Sequence, residues 1–251
     1  MSERGVALVT GGARRVGRAI SLKLAEAGYA VAIHCNASVR EAEGLADEIG
    51  RAGGEAVIVS ADLADPVSVE GVIAAAQMQL GPVTLLVNNA SLFLRDQVTA
   101  IDVPTWNRQF SVNIRAPSVL AGMMANALPE GAEGAVVNIL DQRVWKLTPE
   151  FYSYTLSKAA MWAATRTMAQ ALAPRIRVNA VGPGPTLANT EDGEELFLQE
   201  AAGTLLGRPV SPAEIAEAVL YLARARSVTG QMIAVDSGQH LGWRTPDIVT
   251  Q

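Results

Sequence analysis

The sequence predicts an α/β fold: a doubly wound, parallel, seven-stranded sheet with helices on both faces. Short apolar runs alternate with longer segments of helical periodicity, and this alternation is typical of a parallel sheet. Hydrophobic residues make up 49% of the 251 residues but aromatic residues only 5%, so we expect a core of aliphatic side chains buried on both sheet faces. Because no linker, repeat or low-complexity tract divides the chain, we expect a single domain over residues 1–251.

The apolar runs predict the strands, and the segments between them predict the helices. The strands are expected at residues 5–10, 30–34, 55–60, 83–87, 135–140, 175–181 and 232–235. The helices are expected at residues 15–27, 40–51, 67–80, 106–127, 152–172 and 213–223. Right-handed crossovers would bring the carboxyl ends of all strands to one edge of the sheet, where we expect the functional site.

The least regular region covers residues 182–207. It starts with Pro183-Gly184-Pro185 and has an acidic middle at residues 191–195. A long insertion in a compact domain is often a substrate lid, and we expect one at about residues 183–207. A solvated helical hairpin is an equally good interpretation of this composition.

Charge and cysteine content exclude several classes of function. The formal net charge of −5 gives no attraction for nucleic acid or for an anionic membrane. The single cysteine, Cys35, excludes an intrachain disulfide and fits a reducing compartment. No apolar run is long enough to cross a membrane, and the first residues lack the pattern of a secretory signal. We therefore expect a cytoplasmic protein whose ligands are small molecules, without a predicted metal site.

A glycine-rich turn at residues 10–17 (TGGARRVG) joins the first predicted strand to the first predicted helix. Glycines let a ligand approach the backbone, and the unpaired N–H groups of a helix N-terminus attract an anion. The turn therefore predicts a dinucleotide site in a Rossmann-type domain, with the cofactor contacted by Gly11, Arg14, Arg15, Val16 and Gly17. A tight structural turn is the alternative interpretation.

The residues after the second strand favour NADPH over NADH. Enzymes that use NAD usually carry Asp or Glu about 20 residues beyond the glycine turn, where the carboxylate binds the ribose hydroxyls. Here His34, Asn36 and Ser38 occupy this region, and no acid occurs before Glu41. A guanidinium in the turn can pair with the 2′-phosphate of NADPH, which a carboxylate would repel. Solvated surface charges are the alternative interpretation of the two arginines.

Tyr154 and Lys158 are four residues apart and share one face of the predicted helix 152–172. A tyrosine with its ordinary pKa of about 10 is a poor acid–base group at neutral pH. A neighbouring ammonium and a cationic nicotinamide would lower the pKa of Tyr154 into the working range. An ordinary half-exposed helix face has the same spacing, but here the pair follows the fifth strand of a chain with a nucleotide turn.

In this order the motifs resemble the short-chain dehydrogenase/reductase family over essentially the whole chain. The resemblance implies an adenine pocket at Asp62, a nicotinamide pocket at Pro183-Gly184, an Asn-Asn-Ala element at residues 88–90 and an active-site helix with Asn113. The cofactor residues that we expect are Gly11, Arg14, Arg15, Val16, Gly17, His34, Asn36, Ser38, Asp62, Leu63, Asn89, Ala90, Ser91, Tyr154, Lys158, Pro183 and Gly184.

Two departures narrow the resemblance. Asp141 stands thirteen residues before the tyrosine, where the family has its catalytic serine, and Arg15 stands where the family has a glycine. Both features, with Asn-Asn-Ala-Ser at residues 88–91, resemble the pteridine reductases, including bacterial dihydromonapterin reductases. The phenylalanine that stacks on the pterin in that branch corresponds to Phe93. Some members also carry an arginine after the second strand, and Ala37 stands there instead.

The resemblance to this branch implies the remaining site residues and an assembly state. The implied catalytic residues are Asp141, Tyr154, Lys158 and Asn113. The implied substrate residues are Arg15, Ser91, Phe93, Asp141 and Tyr154. Core packing of Phe93 and a helix-surface charge at Arg15 are the alternatives. These reductases are commonly tetramers, so we expect a homotetramer in which the largely apolar helix 152–172 packs against a partner.

An ionised Asp141 disfavours a simple ketone as substrate. Carbonyl reduction needs a hydrogen-bond donor at the developing alkoxide, and a carboxylate about 4 Å away repels that charge by roughly 4 kcal/mol at an effective dielectric of about 20. A dihydropterin offers C=N bonds and ring N–H groups, which a carboxyl group and Tyr154 can serve together. We therefore expect NADPH-dependent reduction of a dihydropterin or dihydrofolate. The alternatives are a carbonyl or alcohol-type reductase with a protonated Asp141 and a catalytically silent NADP-binding sensor.

Overall fold

The computed structural model describes residues 5–188 and 193–243 and contains one parallel sheet of seven strands. The strand order is β3-β2-β1-β4-β5-β6-β7. The strands are β1 Val6–Val9, β2 Ala30–Cys35, β3 Ala56–Ser60, β4 Val83–Asn88, β5 Gly134–Ile139, β6 Ile176–Pro183 and β7 Met232–Val235. This architecture confirms the predicted fold class. Because the order reverses between β1 and β4, a crevice opens at the carboxyl ends of these two strands, where open α/β sheets bind their ligands.

Eight α-helices flank the sheet within the described ranges. They are α1 Arg15–Glu26, α2 Val39–Arg51, α3 Pro66–Leu80, α4 Val103–Phe110, α5 Ala116–Ala127, α6 Tyr152–Leu172, α7 Gly193–Ala202 and α8 Pro212–Arg224. Side-chain caps fix several of the starts. Asp65 accepts hydrogen bonds from the first turn of α3, and Ser211 forms a capping box with Glu214 at α8.

The predicted helix 106–127 differs from the observed structure. It begins earlier, at Val103, because the Asp102 side chain accepts a 2.8 Å hydrogen bond from the Thr105 N–H. It is also interrupted by a π-helical turn at Ser111–Arg115, which separates α4 from α5. The predicted helical segment is therefore present, but it is not one regular α-helix. Turns of this kind are frequent at functional sites, and this one carries Asn113.

The core has two layers, one on each sheet face. Alternate residues of β1 point to opposite sides: Ala7 and Val9 pack with α1, α2 and α8, whereas Val6 and Leu8 pack with α3 and α5. Because both faces are covered, the central strands are mostly apolar and buried, as in β2, whose six residues are all buried. This rigid centre fixes the strand ends from which the site residues project.

The irregular region 182–207 begins as the end of β6 and contains α7. Residues 189–192, which include part of the predicted acidic middle, lie outside the described residues, as do residues 1–4 at the start of the chain. The helix α7 was not among the predicted elements. No helix in residues 5–188 or 193–243 is long and apolar enough to cross a membrane.

Candidate active site

The glycine turn after β1 is closely packed. Gly11 has a φ of +59°, and a Cβ on Gly17 would lie 2.0 Å from the carbonyl oxygen of Gly11. The Asn89 side chain, at the end of β4, donates to the carbonyl oxygens of Thr10 at 2.9 Å and Gly11 at 3.1 Å. Glycine is therefore required at both positions, and the turn is tied to the neighbouring strand across the crevice.

His34, at the end of β2, holds the same turn in place. The N–H of Gly11 donates to His34 Nδ1 at 3.1 Å, so Nε2 carries the ring proton and donates to the carbonyl oxygen of Ala61 at 3.1 Å. Burial lowers the pKa of His34 to about 4, since desolvation disfavours the imidazolium. A neutral His34 therefore positions the turn and brings no positive charge to it.

A cavity of about 370 Å³ runs along the crevice from this turn. It is lined by thirteen of the residues expected at the cofactor: Gly11, Arg14, Arg15, Val16, Gly17, His34, Asn36, Ser38, Asp62, Leu63, Asn89, Ala90 and Ser91. Leu92, Arg108 and Val112 also line it and were not predicted. Arg108 and Val112 belong to α4 and the π-turn, and no local motif marks their approach to the crevice.

Arg14 has a partner on α2. Its guanidinium lies 3.7 Å from Glu41, and both side chains are about half exposed, at 60% and 48%. Glu41, the first acidic residue after β2, therefore lies next to Arg14 at the edge of the cavity. Glu41 itself does not line the cavity. Because the pair is exposed and long, it holds Arg14 only weakly.

Asp141 and Tyr154 form the centre of the site. Asp141 follows β5, and its two carboxyl oxygens accept from the Arg143 N–H at 2.8 Å and from the Tyr154 hydroxyl at 2.9 Å. Burial raises the pKa of Asp141, although Arg143 opposes this shift. Burial also raises the pKa of Tyr154 well above its ordinary value, and the Asp141 charge acts in the same direction.

The sequence predicts a lowered pKa for Tyr154, but the protein's own groups raise it, so Lys158 alone does not produce the expected shift. Lys158 does not reach the phenol oxygen: its Nζ donates to the Ile139 carbonyl oxygen at 2.8 Å and lies 5.7 Å from the centre of the Tyr154 ring. Burial lowers the pKa of Lys158 to about 8, against an opposing effect of Asp141. The nearest charged partner of the phenol is the carboxyl group, which stabilises its protonated form.

Asn113 forms hydrogen bonds to residues next to this centre. Its Oδ1 accepts from the Leu92 N–H at 2.9 Å and from Ser91 Oγ at 3.2 Å. Its Nδ2 donates to the Leu92 carbonyl oxygen at 2.9 Å and to Ser157 Oγ at 3.0 Å. These bonds join the π-turn, the segment after β4 and α6. None of these four bonds reaches Tyr154 or Lys158.

A second cavity of about 210 Å³ contains the acid–base centre and shares Arg15 and Val16 with the first. Phe93, Asp141, Tyr154, Pro183 and Gly184 were expected in the site and line this cavity. The expected substrate residue Ser91 lines the larger cavity instead. Four residues that were not predicted also line it: Gln142, Arg143, Phe151 and Gln239. The rest of the lining comes from the region expected as a lid: Pro185, Thr186, Leu187, Gly193, Leu196, Phe197 and Glu200.

The aromatic wall of this cavity is built from Phe93 and Phe151. Their ring centres are 4.0 Å apart and nearly parallel, and Phe93 meets the Tyr154 ring edge-on at 4.6 Å. Phe151 therefore covers one face of Phe93, as the alternative interpretation of core packing expects. Phe93 also lines the cavity, where it can still contact a substrate. Phe151 has a φ of +50°, a left-handed conformation that is rare for an aromatic residue and typical of functional sites.

Arg15 connects the glycine turn to the irregular region. Its φ of +51° lies in the left-handed region that favours glycine. This explains why the family that the sequence resembles has a glycine at this position. The guanidinium donates to the carbonyl oxygens of Leu187 at 3.2 Å and Ala188 at 3.1 Å. Arg15 is therefore more than a solvated surface charge: it joins the glycine turn, which borders both cavities, to the segment at Leu187, which borders the smaller one.

The glycine turn, the two cavities and the Asp141–Tyr154–Lys158 cluster define a nucleotide-dependent oxidoreductase, and the chain belongs to the short-chain dehydrogenase/reductase family. A family model described as enoyl-(acyl carrier protein) reductase matches residues 11–240. Two solved structures are similar over the whole chain. FolM alternative dihydrofolate reductase 1 from Brucella suis, in complex with NADP, is 53% identical with a TM-score of 0.96 and covers 99% of this chain and 100% of that one. The protein of the same description from Brucella canis, complexed with NADP, is 52% identical with a TM-score of 0.95, covering 99% and 98%.

Curated relatives are more distant. An uncharacterized oxidoreductase from Methylorubrum extorquens is 34% identical over 241 residues, which cover 93% of this chain and 96% of the relative. The 3-oxoacyl-(acyl-carrier-protein) reductase FabG of Staphylococcus aureus is 31% identical over 240 residues, which cover 94% and 98%. The family is thus shared by relatives with different substrates, so the substrate has to be inferred from the site.

Proposed function

We propose that this protein uses NADPH to reduce a dihydropterin or dihydrofolate. The observation that carries the proposal is the 2.9 Å hydrogen bond between the Tyr154 hydroxyl and Asp141, where a carboxyl group replaces a neutral hydroxyl donor. The similarity to the two FolM alternative dihydrofolate reductases supports it, at 52% and 53% identity. The whole described chain would act as one domain, with residues 183–207 as a substrate lid.

The cofactor would lie along the larger cavity with its reactive end in the smaller one. The fit is supported by the glycine turn, which packs closely against Asn89 because Gly11 and Gly17 lack side chains and which lines the larger cavity beside the N-terminus of α1. NADPH, when bound, supplies the hydride. Asp62 and Leu63 would border the adenine, Arg14 would face the 2′-phosphate, and Pro183-Gly184 would flank the nicotinamide.

Tyr154 would donate the proton that completes the reduction. Its raised pKa keeps the phenol protonated at neutral pH, and release of the proton to a ring nitrogen of the substrate would depend on the positive charge of an oxidised nicotinamide beside it. The resulting phenolate would lie beside Asp141, whose raised pKa favours holding a proton that it can return to the oxygen. Lys158 would stabilise the carboxylate that remains, because its charge lowers the pKa of Asp141.

The smaller cavity suits a flat heterocycle. Phe93 presents an aromatic wall next to the acid–base pair, and stacking on it would fix the plane of the ring. Arg15 lies at the junction of the two cavities, where it can hold both the lid segment and the polar edge of the substrate. Leu196 and Phe197 of α7 would close the cavity from the lid side.

A carbonyl reductase is the second candidate function. The raised pKa of Asp141 favours it, because a protonated carboxyl group can donate to a developing alkoxide. The two functions differ in their pH dependence. The rate of ketone reduction through a protonated Asp141 should collapse when the pH rises and this group ionises. The rate of pterin reduction should fall less, because in the proton relay an ionised Asp141 can take up a new proton between turnovers.

The decisive experiment follows NADPH oxidation with a panel of dihydropterins, dihydrofolate and simple ketones. We expect turnover of at least one dihydropterin or dihydrofolate and slow turnover of the ketones. Tyr154→Phe should abolish the activity and leave NADPH binding nearly intact, which separates an enzyme from a silent NADP-binding sensor. Turnover of ketones alone would overturn the pterin proposal.

We further propose that the enzyme is a cytoplasmic homotetramer. The central part of α6 combines small residues with partial exposure: Ala159, Ala160 and Ala164 are half-buried and Ala163 is exposed. Small side chains of this kind allow close approach of a second helix. Light scattering at micromolar concentration should give four times the monomer mass, and a monomeric protein would refute this assembly.

A further inference from the structure

Gln142 has a buried oxygen without a partner. The residue follows Asp141 at the start of a short 3-10 turn, Gln142–Val144, and is only 4% exposed. Its side-chain Oε1 is shielded from solvent and has no hydrogen-bond partner in the described part of the chain. Buried amide oxygens are nearly always paired in native proteins. A donor that the described residues do not supply is therefore expected at this position.

The location of Gln142 points to the substrate as that donor. The residue lines the cavity that contains Asp141 and Tyr154, and it also lines an adjoining cavity of about 270 Å³ that extends outward past Thr148. Gln142 therefore lies at the junction of the two spaces. The terminal torsion of a glutamine side chain is soft, so its amide can turn the oxygen to the cavity without a change in the backbone.

We propose that Gln142 determines substrate specificity by accepting a hydrogen bond from a ring N–H or an exocyclic amino group. This inference rests on the proposed function and names the substrate feature that the site requires. A heterocycle rich in N–H groups satisfies the oxygen, whereas a simple ketone presents only an acceptor and leaves it unpaired. Sites built around a buried polar group reject analogues that lack the matching partner.

Gln142→Met tests the proposal with a side chain of similar length that has no acceptor. The Michaelis constant for dihydrobiopterin should rise about tenfold, equivalent to about 1.4 kcal/mol, with little change in the affinity for NADPH. The melting temperature should stay equal or rise, because an unpaired polar group has been removed. The matched control is Gln231→Met: Gln231 is exposed, lies outside both cavities and donates to the Thr229 carbonyl oxygen at 3.3 Å, so the Michaelis constant should change little.

A comparison with modified substrates identifies the bond directly. Dihydropterins methylated at N3 or dimethylated at the 2-amino group lose one donor each. For one of them, the wild-type enzyme should lose about tenfold in kcat/KM relative to the parent, and Gln142→Met should lose much less. Equal losses in both proteins for both analogues would overturn the proposal, as would an unchanged Michaelis constant in Gln142→Met.

The failure of this inference and that of the proposed function are distinguishable. Wild-type enzyme that reduces no dihydropterin would overturn the proposed function and, with it, the role of Gln142. Wild-type enzyme that reduces dihydropterins while Gln142→Met does so with unchanged constants would overturn the role of Gln142 alone. In that case a buried water would be the partner of the oxygen.

Discussion

The Tyr154 hydroxyl lies 2.9 Å from a carboxyl oxygen of the half-buried Asp141, and Tyr154 and Lys158 are both buried. A phenol bound to a carboxyl group behaves differently from a phenol bound to a serine. The carboxyl group stabilises the protonated phenol and can exchange a proton with it. The pair is thus suited to delivering protons, and it is poorly suited to stabilising an oxyanion while Asp141 is ionised.

Removal of the phenol oxygen tests the proton donor. Tyr154→Phe should lower kcat by at least a hundredfold, since positioned general acids contribute factors of about 10² to 10⁴. Tyr152→Phe is a matched control: Tyr152 is on the same helix, but its ring lies 6.0 Å from Trp106 rather than in the cavity. Steady-state rates with a dihydropterin provide the measurement. Equal activity of both variants would show that Tyr154 is not the donor.

The regular elements can be predicted because their signals are local. Apolar runs give all seven strands to within two residues, and the helix predicted at residues 152–172 is α6 itself. The bounds of α7 escape prediction because acidic and apolar residues mix in it without a clear apolar face, although a helical hairpin is one of the two interpretations of this region. The π-turn at Ser111–Arg115 escapes because it depends on bonds between Asn113 and distant segments.

The members of the site can be predicted better than their electrostatics. The order of the motifs brings Asp141, Tyr154 and Lys158 to one strand end, as the structure has them. The direction of the Tyr154 pKa shift depends on burial and on which group reaches the hydroxyl, and spacing along the chain contains neither. Phe151 and Gln142 have no motif of their own, and only the packing around the cavity reveals them.

Arg14 and Glu41 should set the preference for NADPH in opposite directions. Arg14→Ala should lower the affinity for NADPH several-fold and leave that for NADH nearly unchanged, because only NADPH has the 2′-phosphate. Glu41→Gln should raise the NADPH affinity up to about fivefold, since it frees the guanidinium from its exposed partner at 3.7 Å. Fluorescence titrations measure both. Equal affinities of the wild type for the two cofactors would contradict the electrostatic argument.

His34 should make stability fall in mild acid. Its folded pKa of about 4 lies below the ordinary value of about 6.5, so between these values the unfolded chain binds more protons than the folded one. The free energy of unfolding should therefore decrease as the pH falls from about 6.5 to about 4, by about 3 kcal/mol. Urea unfolding across this range measures the change. His34→Gln should flatten it, and an unchanged pH dependence in this variant would contradict the assignment to His34.

Arg15→Gly restores the residue that suits the left-handed backbone. The arginine at φ +51° is strained by about 1–2 kcal/mol, so the variant should unfold at an equal or higher temperature. It should also raise the Michaelis constant for the substrate, because the bonds to Leu187 and Ala188 are lost. Calorimetry measures the unfolding temperature, and steady-state kinetics measures the Michaelis constant. A Michaelis constant that does not change would show that the bridge is dispensable for substrate binding.

The substitution Asp141→Ser should separate the two candidate functions. A serine cannot return a proton to Tyr154, so reduction of a dihydropterin should fall by on the order of a hundredfold. The same serine can donate to an alkoxide, so reduction of a simple ketone should stay constant or rise. Asp141→Asn is the control, because it keeps the shape and can donate but cannot exchange a proton; it should impair pterin reduction as Asp141→Ser does. Parallel kinetics with both substrates give the answer. If the wild type ignores every dihydropterin yet reduces ketones, Asp141 acts as a protonated donor and the chain is a carbonyl reductase.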